Sequence, residues 1–140
     1  MKIYFAGSIR GGREDKELYG EIIKLLSKHG YILTEHISDK NLMEAGEALN
    51  SNEIYNRDVS WLEEANVIVA EVTTPSLGVG YEIAKAEDMN KKIFCIYRNG
   101  GARKLSAMID GNPNITKKEY VIVKDLEQVF ADFFSMLSIR

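Results

Sequence analysis

Only one cysteine, Cys95, two prolines, Pro75 and Pro113, and two histidines, His29 and His36, occur among the 140 residues. With a single thiol no internal disulfide can form, and its place in Ile93-Phe94-Cys95-Ile96 reads as a small core residue in a reducing compartment, with no catalytic role. His36 has no His or Cys companion at metal-ligand spacing, so no metal and no other cofactor is expected. There is no low-complexity tract, and at a net charge of −3 there is no basic run or stripe, which argues against a general nucleic-acid footprint. No apolar segment is long enough to cross a bilayer, and the chain opens on a strand pattern rather than a signal peptide. The expectation is a cytoplasmic protein with no membrane partner.

What remains is the composition of an ordinary globular protein, 45% hydrophobic and 28% charged. A chain of 140 residues is expected to fold as one domain, residues 1–140, with a core that needs neither disulfide nor structural metal.

Lys2 to Ala6 is an apolar first strand, closed by the run Gly7-Ser8-Ile9-Arg10-Gly11-Gly12-Arg13. Leu18, Ile22, Leu25 and Leu26 then recur at helical spacing, and His29-Gly30 ends that helix. Tyr31 to Thr34 reads as a second strand ending at Glu35-His36, followed by a polar stretch over 38–52 that suits a loop with a short helix. A helix from about Asn52 to Ala65 carries Ile54, Trp61 and Leu62, and the third strand covers Asn66 to Val72. Downstream lie a helix to about Asn90, a fourth strand from Lys92 to Tyr97, a short helix from Ala102 to Ile109 and a fifth strand from Glu119 to Val123. Leu126, Val129, Phe130, Phe133, Phe134 and Leu137 make a last amphipathic helix; its phenylalanines and Trp61 are core or dimer surface before they are stacking platforms.

Strands alternating with helices imply the α/β class: a doubly wound, Rossmann-like or flavodoxin-like three-layer sandwich whose five-stranded parallel sheet has the order 2-1-3-4-5. Ligands of such sheets bind beyond the carboxyl ends of the strands where the winding reverses, here between strands one and three. Those two strands carry the Gly-rich runs, Gly7 to Arg13 and Glu71-Val72-Thr73-Thr74-Pro75-Ser76-Leu77-Gly78-Val79-Gly80-Tyr81-Glu82. In the second run Pro75 ends the ladder, and Ser76, Gly78 and Gly80 allow close approach of a ligand to the backbone. The helix is expected to start near Tyr81, which places Glu82 in its first turn as an ionised carboxylate at the positive end of the dipole.

Gly7 to Arg13 is neither a Walker A motif nor the dinucleotide fingerprint, yet a Gly-rich turn feeding a helix suits a phosphate, to which Arg10 or Arg13 can add donors. Without a phosphate-loop lysine, a monophosphate fits better than a triphosphate. Asp58 lies four residues from both Ile54 and Leu62 and so points inward, where a carboxylate is costly unless paired or bonded, Arg57 and Arg98 being available structural partners. Asp58 and Glu82 together are the two carboxylates that cleavage of a glycosidic bond requires, and Tyr4 can orient one of them. His36, at the end of strand two, reads as substrate contact or surface. Ser106 has neither an adjacent base nor a Gly-x-Ser-x-Gly elbow and is not taken as a nucleophile.

As a set, Gly7-Ser8-Ile9-Arg10-Gly11-Gly12, Thr34-Glu35-His36, Asp58 with Trp61-Leu62, Ala70-Glu71-Val72-Thr73, Pro75 to Glu82 and Leu105-Ser106-Ala107-Met108-Ile109 resemble the 2′-deoxynucleoside 5′-phosphate N-hydrolases of the nucleoside 2-deoxyribosyltransferase superfamily. The resemblance covers nearly the whole chain and implies a small-molecule substrate, a deoxynucleoside monophosphate. Glu82 would attack C1′ to give a covalent glycosyl-enzyme intermediate, Asp58 would assist the departing base, and Tyr4 would hold Glu82. The phosphate would lie against the first loop, Gly7 to Arg13, and against the serines Ser8, Ser76 and Ser106, while Ile9 and Met108 flank the base and Gly78 belongs to the substrate-binding set. Ser106 and Met108 would come from the neighbouring subunit of a homodimer. A deoxyribosyltransferase, a ribonucleotide glycosidase and a non-catalytic nucleotide sensor are the competing readings; serines at 76 and 106 suit a phosphate, and the resemblance implies that a tyrosine at position 4, in place of phenylalanine, leans towards the deoxy sugar.

Overall fold

A computed structural model describes residues 1–9, 13–34, 49–99 and 104–138, with Arg13 and Glu14 described through their backbone alone. The elements run β1 (Lys2–Ala6), α1 (Arg13–Leu26), β2 (Tyr31–Ile32), α2 (Ser51–Glu64), β3 (Val67–Glu71), α3 (Leu77–Asp88), β4 (Lys92–Arg98), α4 (Ala107–Asp110), β5 (Ile115–Tyr120) and α5 (Asp125–Ser138). Every strand pairing is parallel, in the order β2-β1-β3-β4-β5 expected of a flavodoxin-like sheet. Arg10, Gly11, Gly12, His36, Ala102 and the stretch 38–48 lie outside the described residues.

Both faces of the sheet are covered, which is why the central strands read as unbroken apolar runs. Side chains alternate across a strand. Ile3 and Phe5 of β1 therefore join Val67, Val69, Phe94 and Ile96 against α1 and α5, in a cluster completed by Ile22, Leu26, Phe130 and Phe134. Tyr4 and Ala6 join Ile68, Ala70 and Cys95 on the other face, against Leu62 of α2 and Val79 and Ile83 of α3. Buried there, the Cys95 thiol is pushed up to about 12, the setting of an inert core residue.

Four elements depart from the expectation: α3, which starts at Leu77 rather than near Tyr81, and three others. β2 ends at Ile32 because Thr34 takes over its pairing through the side chain: Oγ1 accepts the Phe5 N–H at 2.8 Å and donates to the Phe5 carbonyl at 2.7 Å. β5 lies at Ile115–Tyr120 rather than 119–123; Ile115 and Tyr120 are buried, whereas the β-branched Val121 and Ile122 beyond them are exposed. As an edge strand it carries Lys117 and Lys118 in its middle, the charged pattern that keeps an edge from pairing with other chains. The short helix is confined to Ala107–Asp110 and capped by Ser106, whose Oγ accepts the Met108 N–H at 3.3 Å. No helix among the described residues is long and apolar enough to cross a membrane.

Candidate active site

Three elements bring Tyr4, Asp58 and Glu82 close enough to act on one another electrostatically, with Tyr4 hydrogen-bonded to Glu82. Tyr4, 2% exposed, stands on β1 between β2 and β3. α2 begins at Asn50, whose side chain accepts the Glu53 N–H at 2.9 Å, and it anchors on the buried Leu62. One helical turn before Leu62, Asp58 therefore faces inward, half-buried. α3 begins at Ser76, whose Oγ accepts the Val79 N–H at 3.3 Å, and it packs Val79, Ile83 and Ala86 on the sheet.

The helix thus starts four residues earlier than Tyr81, and Gly78 and Gly80 belong to its first turn rather than to a loop. An added Cβ would meet nothing within 4 Å at Gly80, which leaves open space beside the helix, and at Gly78 only the Ser76 hydroxyl at 3.9 Å. Glu82 consequently sits in the second turn, away from the unpaired N–H groups, and the expectation of a carboxylate held ionised by the dipole fails. Burial dominates instead and raises the Glu82 carboxyl to about 7, with the Tyr4 hydroxyl opposing the rise through a hydrogen bond and the nearby Asp58 charge adding to it. The same burial, with the charges of Glu82 and Asp58, keeps the Tyr4 hydroxyl protonated far above its ordinary value. Tyr4 is a donor, never a base.

Asp58 is held by its neighbour: Nε and Nη2 of Arg57 both approach Oδ1 at 2.9 Å, and the guanidinium lies 4.8 Å from the centre of the Trp61 ring. Of the two arginines available from the sequence, Arg57 is the partner, and Arg98 is committed elsewhere, to Asp15 and Glu71. Tyr55 and Tyr81, both exposed, bring their rings to 6.4 Å where α2 meets α3.

Gly7 and Ser8 continue directly from β1. The α-carbon of Gly7 lies under the Tyr19 ring, so close that a Cβ would stand 2.8 Å from Cζ, and the Ser8 N–H donates to the Tyr19 hydroxyl at 3.0 Å. Gly7 is thus fixed by packing whatever it does for a ligand, and Ile9 beyond it is half-exposed. Ser76 at the head of α3 borders, together with Ser106 and Met108, a cavity of about 520 Å³ against the Val79, Gly80, Ile83 and Glu87 side of α3, whose lining does not include Tyr4, Asp58 or Glu82. The Lys117 ammonium secures this segment by donating to the carbonyls of Asp110 at 2.7 Å and Asn112 at 3.2 Å. Met108 is 81% exposed and Leu77, at the head of α3, 97%. Among the described residues no three His, Cys, Asp or Glu side chains are grouped so as to hold a metal ion.

The sequence pattern missed the links between Asp15, Glu71, Arg98 and Tyr120, which come from four elements and converge at the carboxyl end of the sheet. The available signal was a glutamate closing an otherwise apolar β3, 1% exposed in the fold.

The family model described as nucleoside 2-deoxyribosyltransferase matches residues 3–121. A protein of Tetraodon nigroviridis named 5-hydroxymethyl-dUMP N-hydrolase is 47% identical over 142 residues, covering 96% of this chain and 98% of that one. A Homo sapiens protein of the same name is 50% identical over 111 residues, 78% of this chain and 64% of that one. The solved structure of Clostridium botulinum CMP N-glycosidase, BcmB, matches with a TM-score of 0.68 at 17% identity, covering 95% of this chain and 99% of that one, a likeness of fold. On a family match that runs from β1 into the residue after β5, the chain belongs to the nucleoside 2-deoxyribosyltransferase family.

Proposed function

We propose that this chain is a hydrolase that cleaves the N-glycosidic bond of 2′-deoxynucleoside 5′-monophosphates, releasing free base and deoxyribose 5-phosphate from one domain, residues 1–140. The observation that carries the reading is the meeting of Asp58 and Glu82 beside Tyr4, two carboxylates from different helices close enough to act on one another electrostatically. Relatives named 5-hydroxymethyl-dUMP N-hydrolase, at 47% identity over nearly full length, support both the bond broken and a deoxynucleoside monophosphate as substrate.

In its ionised form Glu82 attacks C1′; an ester bond forms to its oxygen while the N-glycosidic bond breaks and its electron pair leaves on the base. Asp58 supplies or relays the proton that the base takes up. Water then adds to C1′, the bond to Glu82 breaks, and the proton of the water returns through Asp58 to solvent. Tyr4 donates to Glu82 and orients it throughout. Gly7, Ser8 and the following loop through Arg13 receive the phosphate together with Ser76 and Gly78, and His36 and Ile9 contact the remainder of the nucleotide. No metal or other cofactor takes part.

Ser106 and Met108 complete the crevice of a second copy of the chain. This is supported by their place beside a cavity that Glu82 does not line and by the exposure of Met108, Leu77 and Tyr81. The enzyme is a cytoplasmic homodimer that works free of nucleic acid and membrane. A second reading, transfer of the deoxyribosyl group to another base, is favoured by the description of the matching family model.

The test is base release from deoxynucleoside 5′-monophosphates, the matching nucleosides and ribonucleotides, with wild type and Glu82→Ala. Release from deoxy monophosphates alone, lost in the variant, is the expected result. Turnover of unphosphorylated nucleosides that requires an acceptor base would establish the transferase, and tight binding without turnover a nucleotide sensor.

A further inference from the structure

Beneath the two loops lies a charged cluster that the proposed chemistry does not use. Asp15 of α1 and Glu71 of β3 are 6% and 1% exposed, and Arg98 of β4 reaches both: Nη2 donates to Asp15 Oδ1 at 3.0 Å, and Nε lies 3.8 Å from Glu71 Oε2. The Tyr120 hydroxyl donates to the same Oε2. Buried ion pairs of this kind are weak stabilisers compared with apolar packing of equal volume, so stability alone gives little reason for the cluster. Its second set of bonds gives a better one.

Each carboxylate sends its other oxygen into the segment leading to Ser76. Glu71 Oε1 accepts the Thr73 N–H at 2.7 Å, Asp15 Oδ2 accepts the Thr74 hydroxyl at 3.2 Å, and the Arg98 backbone N–H donates to Thr73 Oγ1 at 2.9 Å. At the other end, Asp15 lies in the first turn of α1, directly after the first Gly-rich loop. One turn further on, Tyr19 takes the Ser8 N–H at 3.0 Å. The cluster therefore ties together the two loops that present Ser8 and Ser76.

We propose that Arg98, gripped by Asp15 and Glu71, is a positioning residue that sets the spacing between the Ser8 and Ser76 loops and thereby the affinity of the site for the phosphate group of the substrate. It acts through the loops and does not touch the phosphate. The inference rests on the monophosphate reading above.

Two variants test it, beside wild type. Thr74→Val keeps the volume and removes one tie to Asp15; Arg98→Lys keeps the charge and removes the fork that spans both carboxylates. The measurements are kcat and KM for a deoxynucleoside 5′-monophosphate, the Kd for inorganic phosphate by calorimetry, and Tm. Thr74→Val is expected to raise KM and the phosphate Kd together by about fivefold, and Arg98→Lys by about tenfold or more, with kcat held within about twofold. Lower Tm with KM and phosphate Kd unchanged in both variants would reduce the cluster to a structural tie and overturn the proposal while leaving the hydrolase reading intact. Wild type that binds inorganic phosphate without turning over, with both variants binding it less well, would overturn the hydrolase reading and keep the clamp. Wild type that does not bind phosphate would overturn the clamp.

Discussion

The Tyr4 hydroxyl on β1 and the Glu82 carboxyl on α3 oppose one another electrically: burial raises Glu82 to about 7, and the hydrogen bond from Tyr4 holds it down. A nucleophilic carboxylate must be ionised, so kcat/KM is expected to climb with pH through a midpoint near 7 and to level off above it. The second ionisation of a substrate phosphate lies lower, at about 6, and is separated by repeating the profile with a phosphonate analogue. Activity that falls as pH rises through 7 would instead make Glu82 the proton donor and Asp58 the nucleophile.

Removing the Tyr4 hydroxyl removes the influence that favours the ionised form. Tyr4→Phe is expected to move the same acid limb upward by about one pH unit, the equivalent of one hydrogen bond to a charged group, with kcat recovered at high pH. A pure loss of kcat at every pH, with the limb unmoved, would assign Tyr4 to the substrate rather than to Glu82.

The same shift carries a stability cost. Between its unfolded value near 4.5 and its folded value near 7, Glu82 binds more protons in the native state, so stability falls as pH rises across that window and the deficit persists above it. Glu82→Gln removes the charge at equal volume. The variant is expected to be more stable than wild type by about 3 kcal/mol at pH 8 and by less than about 1 kcal/mol at pH 5, read as a gain of several degrees in Tm chiefly at the higher pH. A gain of the same size at pH 5 would show that burial of the charge is not its origin.

Gly7 gives a prediction about packing. Its α-carbon faces the Tyr19 ring, which is itself 3% exposed and set edge-on to Phe5 at 5.6 Å between centroids. A methyl group there forces the ring to move and with it the acceptor of the Ser8 N–H. Gly7→Ala is expected to cost about 1–3 kcal/mol in denaturant unfolding and to raise KM for the monophosphate. Wild-type stability in the variant would show that the ring has room to yield.

Much of this arrangement was legible in the sequence, and for different reasons. The parallel, doubly wound sheet followed from strands alternating with helices, its order from the flavodoxin-like arrangement such sheets adopt, and Asp58 was placed inward by its spacing from Ile54 and Leu62, a matter of local periodicity. The start of α3 was misplaced because Gly78 and Gly80 read as a turn; the Ser76 cap and burial of Val79 outweigh their poor helix propensity. β5 was misplaced because Tyr120-Val121-Ile122-Val123 has the stronger strand composition, while the actual edge strand needs only Ile115 and Tyr120 inside. Asp15, Glu71 and Arg98 left almost no trace: three residues far apart in sequence meet only through tertiary structure.

That separation of partners also bears on Ser106. It borders the same cavity as Ser76, and Glu82 does not line that cavity. If it serves the neighbouring crevice, two inactive variants can rescue one another: Glu82→Ala lacks the nucleophile, and Ser106→Asp sets a negative charge against the substrate phosphate. In a mixed dimer one site then carries both changes and the other carries neither. After the two are unfolded and refolded together in equal amounts, roughly a quarter of wild-type kcat is expected, since half the dimers are mixed and half of their sites are intact. If Ser106 served its own crevice, no intact site would arise, and the mixture would stay as inactive as its components.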